Sequence, residues 1–117
     1  MSNFYIEDEN GDIKPTYDLM KWGRWFEAAD RHVALTEVGG GKVSTVFLGL
    51  DHRFFGDGPP LLWETMVFGG PLDGRCERYC TRVEALAGHE EVVRDVRDWT
   101  GFLVAVGDYD EEGWVVE

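Results

Sequence analysis

The chain has few of the residues and segments on which several common functional classes depend. It contains two cysteines in 117 residues, Cys76 and Cys80. They lie four apart, and no second Cys or His pair stands at zinc-finger spacing, so a structural zinc site is not expected. No segment approaches the ~18 apolar residues that a membrane span requires, so no membrane partner is expected either.

Basic residues are also scarce. The 11 Lys and Arg stand against 23 Asp and Glu, and the net charge is −12. Such a surface repels phosphate, which disfavours direct binding to nucleic acid. It can attract basic protein surfaces, including those that normally hold nucleic acid, or it can simply keep the protein soluble. The acids cluster in two stretches, EDENGD at 7–12 and DYDEEG at 108–113.

Targeting and catalytic motifs are missing as well. The first residues, MSNFYIEDENGDIK, lack the basic start and apolar run of an export signal, so we expect a cytoplasmic protein with both thiols reduced. There is no H-E-x-x-H, no G-x-S-x-G and no P-loop, and the glycines of EVGGGK fit a hairpin turn better than a phosphate loop. What is present is the composition of a packed globule, 44% hydrophobic and 14% aromatic.

The apolar pattern predicts a single α+β domain over residues 1–117, with its core at about 16–99. Residues 4–6 form a short strand or an apolar anchor. Leu19, Trp22, Trp25 and Ala29 then recur at helical spacing, which predicts an N-terminal helix within 16–30.

A small antiparallel sheet of three to four strands should follow as a meander. Two β-rich runs flank Gly39–Gly41, which indicates a hairpin. The second run is apolar on both sides, as expected for a central strand covered on two faces. Residues 61–68 predict a third strand, and 77–80 a short fourth one.

A longer C-terminal helix is predicted after the sheet. Thr81 and Glu84 form a capping box at its start. The helix should present one apolar stripe to the sheet, made of Ala85, Leu86, His89, Val92, Val93, Val96 and Trp99. Residues 100–117 would then form an acidic arm or one added strand.

The stretch DHRFFGDGPPLLWETMVFGG, residues 51–70, holds most of the side chains suited to chemistry. Its Gly and Pro residues indicate a tight connection, and His89 on the helix would be a core histidine bonded to a carbonyl or a carboxylate. The alternative is a metal-assisted hydrolase or nuclease. Its candidate residues are Asp51, His52, Glu64 and His89, with Asp73 as an accessory. Only His52, Glu64 and His89 are candidate metal ligands, and no metal or cofactor is expected.

Aromatic and acidic side chains supply the candidates for a binding surface. The tryptophans of the first helix are core residues or an exposed aromatic patch, and the loop phenylalanines must be covered by the core, a partner or a ligand. The candidate binding residues are Trp22, Trp25, Phe54, Phe55, Asp108, Asp110, Glu111 and Glu112.

The run VSTVFLGLDHRFFGDGPPLLWETMVFGG, followed by RYCTRVEALAGHEEVV, resembles an uncharacterised family of small accessory proteins from tailed bacteriophages and prophages. The resemblance covers about residues 20–98. The chain departs from the family at Cys80 and Val83, where the family has more polar residues, and in its acidic tail. The motif residues here would be Asp51, His52, Gly58, Pro59, Pro60, Glu64, Gly69, Gly70 and His89.

The resemblance implies a phage origin more than a chemistry. The leading hypothesis is an accessory protein that binds a host or phage protein, as an inhibitor of a host defence system, or that sequesters a small ligand. The alternatives are the hydrolase or nuclease, and a structural or assembly protein that forms a homo-oligomer through the exposed face of its sheet.

Overall fold

The computed structural model describes residues 3–53 and 56–107, and its first unit is a hairpin. Strand β1 (Phe4–Glu7) pairs antiparallel with β2 (Ile13–Thr16). The sequence analysis expected only a strand or an anchor at 4–6 and placed no strand after it. The signal for β2 was the Asn10-Gly11 pair, which is typical of a tight hairpin turn; Gly11 has a φ of 82°.

Helix α1 (Leu19–Ala28) confirms the predicted N-terminal helix. It begins at residue 19 because Asp18 caps it: the Asp18 carboxylate accepts hydrogen bonds from the backbone N–H groups of Met20 (3.1 Å) and Lys21 (3.0 Å). The preceding residues are already held in β2.

The four remaining strands form one antiparallel meander, as predicted. They are β3 (His32–Val38), β4 (Gly41–Phe47), β5 (Trp63–Phe68) and β6 (Cys76–Tyr79), in that order across the sheet. Gly39 and Gly40 make the β3–β4 turn, with φ values of 59° and 77°. Gly41 is the first residue of β4 and not part of the turn.

Helix α2 (Arg82–Ala105) packs across one face of this sheet and contacts all four strands. One core cluster joins Val43 and Val67 of the sheet to Val92, Val93 and Val96 of the helix. A second cluster contains Phe47, Leu62, Trp63 and Ala85, against which Tyr5, Ile13 and Trp25 of the N-terminal unit pack. Each fully buried side chain of this kind contributes about 1.5–3 kcal/mol, so these clusters determine where α2 lies.

The second helix differs from the prediction at its edges and at its end. Leu86 and Trp99, which were placed on the buried stripe, are 42% and 50% exposed because they lie at its margins. The helix continues to Ala105, so residues 100–105 are helical and not part of an arm or added strand. Gly107, with a φ of 81°, follows the helix. The rest of the predicted arm lies outside the described residues.

Among residues 3–53 and 56–107, helix α2 covers one face of the four-stranded sheet, and no other helix packs on the opposite face. In β4, Val43, Thr45 and Phe47 are buried beneath α2 and its neighbours, whereas Ser44 and Val46 point to the opposite side. Within the described residues a helix covers only one of the two faces of this strand, and Ser44 and Val46 on the other face are half-buried. Neither α1 nor α2, the two helices of the described residues, has the length and apolar character needed to cross a membrane.

Candidate functional site

Asp51 is the residue that shapes the loop between β4 and β5. Its Oδ1 accepts hydrogen bonds from the backbone N–H of Arg53 at 2.8 Å and of Leu61 at 2.9 Å. These two bonds join the start of the loop to its end. The carboxylate thus provides the hydrogen-bond acceptor that these two backbone N–H groups would otherwise need from another part of the backbone.

The neighbouring side chains are also used within this loop. His52 Nδ1 lies 2.7 Å from the carbonyl oxygen of Leu50, and its backbone N–H donates to the carbonyl of Leu61. Arg53 donates from Nε to the carbonyl of Pro59 at 2.7 Å and lies over Gly58, where a Cβ would meet the guanidinium. These contacts support the architectural interpretation of the 51–60 loop. Phe54 and Phe55 lie outside the described residues.

Glu64 lies on the uncovered face of the sheet. In β5 the buried residues are Trp63, Thr65 and Val67, so Glu64 points away from α2. Its Oε2 accepts a hydrogen bond from Nε of Arg78, the residue opposite it on β6, at 2.9 Å. The carboxylate is thereby neutralised by a cross-strand pair.

His89 faces the sheet, as predicted, and is 1% exposed. The expected carbonyl or carboxylate partner is replaced by two hydroxyl groups. Its Nε2 lies 2.9 Å from Oγ1 of Thr36, and its Nδ1 lies 2.7 Å from Oγ1 of Thr45. Thr45 is in turn 2.5 Å from Thr65.

The hydroxyl of Tyr79 extends this hydrogen-bond network by donating to Oγ1 of Thr65 at 3.1 Å. Each proton from Tyr79 to His89 finds an acceptor when Thr65 donates to Thr45, Thr45 donates to Nδ1 of His89, and the Nε2–H of His89 donates to Thr36. The imidazole is then neutral. Burial lowers the pKa of His89, against a smaller opposing effect of the Glu90 charge. Burial likewise raises the pKa of Tyr79, which keeps its phenol protonated as a donor.

The residues proposed for a hydrolase are therefore not gathered in one place. Glu64 and His89 lie on opposite faces of the sheet, and Asp51 is bonded to the backbone of its own loop. Asp73 accepts from the N–H of Gly69 at 2.7 Å in the β5–β6 connection. Across residues 3–53 and 56–107, no group of three or more His, Cys, Asp or Glu side chains is arranged to hold a metal ion.

The two tryptophans of α1 are both partly buried. Trp22 donates from Nε1 to the carbonyl of Gly49 at 2.8 Å and packs edge-on against Phe4. Trp25 packs edge-on against Phe47 of the core, with ring centroids 5.7 Å apart. Both rings join the N-terminal unit to the sheet, which is the core alternative of the sequence analysis.

Trp25 also contributes to a cleft of about 270 Å³ at the junction of α1, β3 and the start of α2. Trp25 and Phe47 supply its apolar part. Charged side chains of both signs surround them, namely Glu7, Asp30, Arg31 and Arg82. Arg31 is itself held in place, because it donates to the carbonyl of Phe47 and stacks on the ring of Phe26.

We call the face of the four-stranded sheet that lies opposite α2 the open sheet face. Leu35 and Phe68 are 58% and 56% exposed there. Strand alternation and register place the following eleven side chains on it: His32, Leu35, Glu37, Lys42, Ser44, Val46, Glu64, Met66, Phe68, Cys76 and Arg78. Cys76 is a free thiol, as is Cys80, and burial together with the Glu64 charge raises the pKa of Cys76.

The acidic stretch at 7–12 forms the turn of the β1–β2 hairpin. Oδ1 of Asp8 accepts from the backbone N–H of Asn10 and Asp12, and its Oδ2 pairs with Lys14 at 2.8 Å. These interactions lower the pKa of Asp8, chiefly through the hydrogen bond with Lys14. Glu9 and Asp12 are left exposed. The second acidic stretch, with Asp108, Asp110, Glu111 and Glu112, lies outside the described residues.

Four residues of the hydrogen-bond network around His89 were not among the candidate residues of the sequence: Thr36, Thr45, Thr65 and Tyr79. A signal was available. Thr45 and Thr65 alternate with large apolar residues at positions that face the helix, and a buried hydroxyl needs a hydrogen-bond partner. The partner could not be inferred, because the pairing of β4 with β5 and the rotation of α2 both had to be known.

The chain matches no protein-family model, and no curated protein and no solved structure matches it. The resemblance to a family of phage accessory proteins therefore stays a prediction.

Proposed function

We propose that this chain acts by binding a protein that carries a basic surface of the kind that otherwise holds nucleic acid. In a bacterial cell infected by a phage, such a protein would be a component of a host defence system, and occupation of its basic surface would inhibit it. The observation that carries the proposal is the exposed acidic turn of the β1–β2 hairpin in a chain of net charge −12.

The hairpin is suited to this role by its position. It forms a two-stranded sheet of its own, separate from the four-stranded sheet, so its turn can enter a groove without disturbing the core. Asp8 organises the turn, and the exposed Glu9 and Asp12 add negative charge to its surface. Carboxylates on a rigid turn can replace phosphates against Lys and Arg side chains.

The distribution of positive charge supports the same proposal. Several of the basic residues already pair with acids of the chain itself, including Lys14, Lys42, Arg75 and Arg78. Their charges are thus balanced locally, and the excess of acids defines the field that a partner meets. A basic partner is attracted at long range by such a field, and nucleic acid is repelled.

The roles of the candidate catalytic residues also favour binding over catalysis. Asp51 closes a loop, Glu64 forms an ion pair with Arg78, and His89 is buried among threonine hydroxyls. Each side chain has a defined structural contact, and none of these contacts faces a common cavity. We therefore assign the function to the surface of the molecule.

The experiment begins with capture of a bacterial protein on the tagged chain after nuclease treatment, followed by purification of that protein. Binding is then measured by titration at two salt concentrations and in competition with duplex DNA or RNA. We expect mutually exclusive binding and an affinity that falls as salt rises.

Charge reversal locates the contact. Glu9→Lys with Asp12→Lys should weaken binding at least about tenfold, because two attractive charges become repulsive. The matched control is Glu90→Lys with Glu91→Lys, which changes the net charge equally on the exposed side of α2. The proposal would be rejected if both double variants lost affinity equally, or if one complex contained the partner protein and nucleic acid together.

A further inference from the structure

The open sheet face is an apolar surface for which the described part of the chain supplies no cover. Helix α2 packs on the opposite face, and the main contact of α1 is with β1. Leu35 and Phe68 are consequently more than half exposed. Ser44 and Lys42 lie between them on β4, and the half-buried Met66 and Val46 extend the apolar area along the central strands. Contiguous exposed apolar area of this kind usually marks an interaction site.

The charges on this face differ from those of the rest of the molecule. Glu37 pairs with Lys42 at 3.9 Å near the β3–β4 turn, and Glu64 pairs with Arg78 at 2.9 Å further along the sheet. Two acids and two bases cancel, so the face has no net charge. The whole chain carries −12.

This balance determines which partner fits. Two copies of a strongly acidic chain repel each other wherever their acids meet, and the open sheet face adds little to that repulsion because its acids pair with its own bases. A two-fold axis brings the same patch of both copies together, so a patch with its own acids and bases can pair with itself. A basic partner would instead be drawn to the acidic hairpin.

A second exposed apolar patch, at the end of α2, fits a second copy less well. Trp99 and Phe102 are 50% and 57% exposed there. They lie beside Asp98, and the sequence continues directly into the acidic stretch DYDEEG. Two copies that met at this end would bring like charges together, which is unfavourable.

From these observations we infer that two copies of this chain associate through their open sheet faces, as two sheets packed face to face. Antiparallel sheets pack in this way at a separation of about 10 Å, with the side chains of the two inner faces interdigitated. The dimer would carry an acidic hairpin on each copy and could engage a repeated basic surface at two points.

The size of the face sets the expected strength. Four strands at a spacing of about 4.8 Å and six residues at about 3.3 Å give a flat area of roughly 400 Å² per copy. Stable interfaces bury about 800 Å² per partner, and weaker ones bury less. We therefore expect a dimer that dissociates on dilution.

The test is sedimentation equilibrium of the full chain over a range of concentrations, with two matched variants. Phe68→Ser removes the aromatic ring from the open sheet face, and Phe102→Ser removes an equally exposed ring from the end of α2. Phe68→Ser should weaken association at least about tenfold, because each dimer carries the substitution twice. Phe102→Ser should leave association unchanged.

Further measurements keep the test decisive. If Phe68→Ser does not fold by circular dichroism, Leu35→Ser takes its place on the same face. The two thiols give an independent readout in the unaltered chain: alkylation of Cys76, on the open sheet face, should slow as concentration rises, while that of Cys80, which contacts Arg53 and Pro59, should not.

Several outcomes would overturn the inference. They are a chain that stays monomeric up to about millimolar concentration, a dimer weakened by Phe102→Ser as much as by Phe68→Ser, and a dimer in which Cys76 reacts as fast as in the monomer. Because the acidic hairpin is not needed for self-association, this result and that of the charge-reversal experiment are independent.

Discussion

His89 of α2 and Thr45 of β4 are joined by a hydrogen bond of 2.7 Å, and neither residue is more than 1% exposed. Through this pair the helix is tied to the whole sheet. The hydrogen-bond network also includes Thr36 on β3 and Thr65 on β5, and it ends at Tyr79 on β6. One polar network thus touches all four strands.

The network restricts how α2 can lie on the sheet. A valine at position 89 could pack against the sheet at several helix rotations, whereas an imidazole must place two nitrogens against two fixed hydroxyls. A buried polar group without its partner costs about 1–3 kcal/mol, so alternative rotations are disfavoured. The histidine is best understood as a determinant of helix position.

The first prediction concerns the dependence of stability on pH. Because burial lowers the pKa of His89, the unfolded chain binds a proton more readily than the folded one. As the pH falls through about 6.5, the ordinary value for histidine, the free energy of unfolding should decrease by at most about 1.4 kcal/mol per pH unit. The decrease ends below the lowered pKa of the folded state. Urea denaturation between pH 5 and about 8 measures it.

Variants distinguish the contribution of His89 to this pH dependence from that of the carboxylates, which also take up protons at the acidic end of the range. His89→Gln cannot take up a proton, so this part of the pH dependence should disappear, although stability at about pH 8 should be ~1–3 kcal/mol lower. His32→Gln changes an exposed histidine whose contact with Asp30 is screened by solvent, and it should alter the slope much less than His89→Gln does. An unchanged slope in His89→Gln would show that the buried imidazole is not the titrating group.

Most of the fold could be predicted from the sequence because its signals are local. Gly39 and Gly40 require a turn, Thr81 and Glu84 cap α2, and the helical stripe of valines has to face a sheet. The β1–β2 hairpin differs from the prediction because Pro15, which often precedes a helix, here lies within β2. The end of α2 was missed because the apolar run at 102–104 also suits a strand.

The arrangement of the candidate site could not be predicted in the same way. Strand alternation predicts that Glu64 and Thr65 point to opposite faces of the sheet. It does not predict which of the two side chains faces the helix. That depends on which face α2 covers, and only the packing of Val67 against the helix valines answers it. Similarly, a lone histidine on an apolar stripe does not reveal that its partners are threonines from two different strands.

The second prediction uses two glycines of the same helix. At Gly88 an added Cβ would collide with the ring of Tyr79, whereas at Gly101 it would meet nothing within 4 Å. Alanine is favoured over glycine in a helix by about 1 kcal/mol. Gly101→Ala should therefore raise the free energy of unfolding by ~0.5–1 kcal/mol. Gly88→Ala should lower it by ~1–3 kcal/mol, because the overpacked ring must move.

Thermal and urea denaturation of the two variants, each compared with the wild type, measure the difference. The displaced ring should also weaken the bond from Tyr79 to Thr65, so the near-ultraviolet circular dichroism of Gly88→Ala should change while that of Gly101→Ala stays constant. Stabilisation by alanine at both positions would contradict the close packing of Tyr79 against α2.

The third prediction tests the assignment of Asp51 to the loop. Asp51→Ala removes the acceptor of two backbone N–H groups, those of Arg53 and Leu61, and should lower the free energy of unfolding by about 1–3 kcal/mol. Asp51→Asn keeps an oxygen at the same position and should lose less than about 1 kcal/mol, since neutral acceptors form somewhat weaker bonds. Urea denaturation distinguishes the two values. If asparagine were as damaging as alanine, the negative charge of Asp51 would itself be needed for stability, and two hydrogen bonds to any oxygen acceptor would not be enough to close the loop.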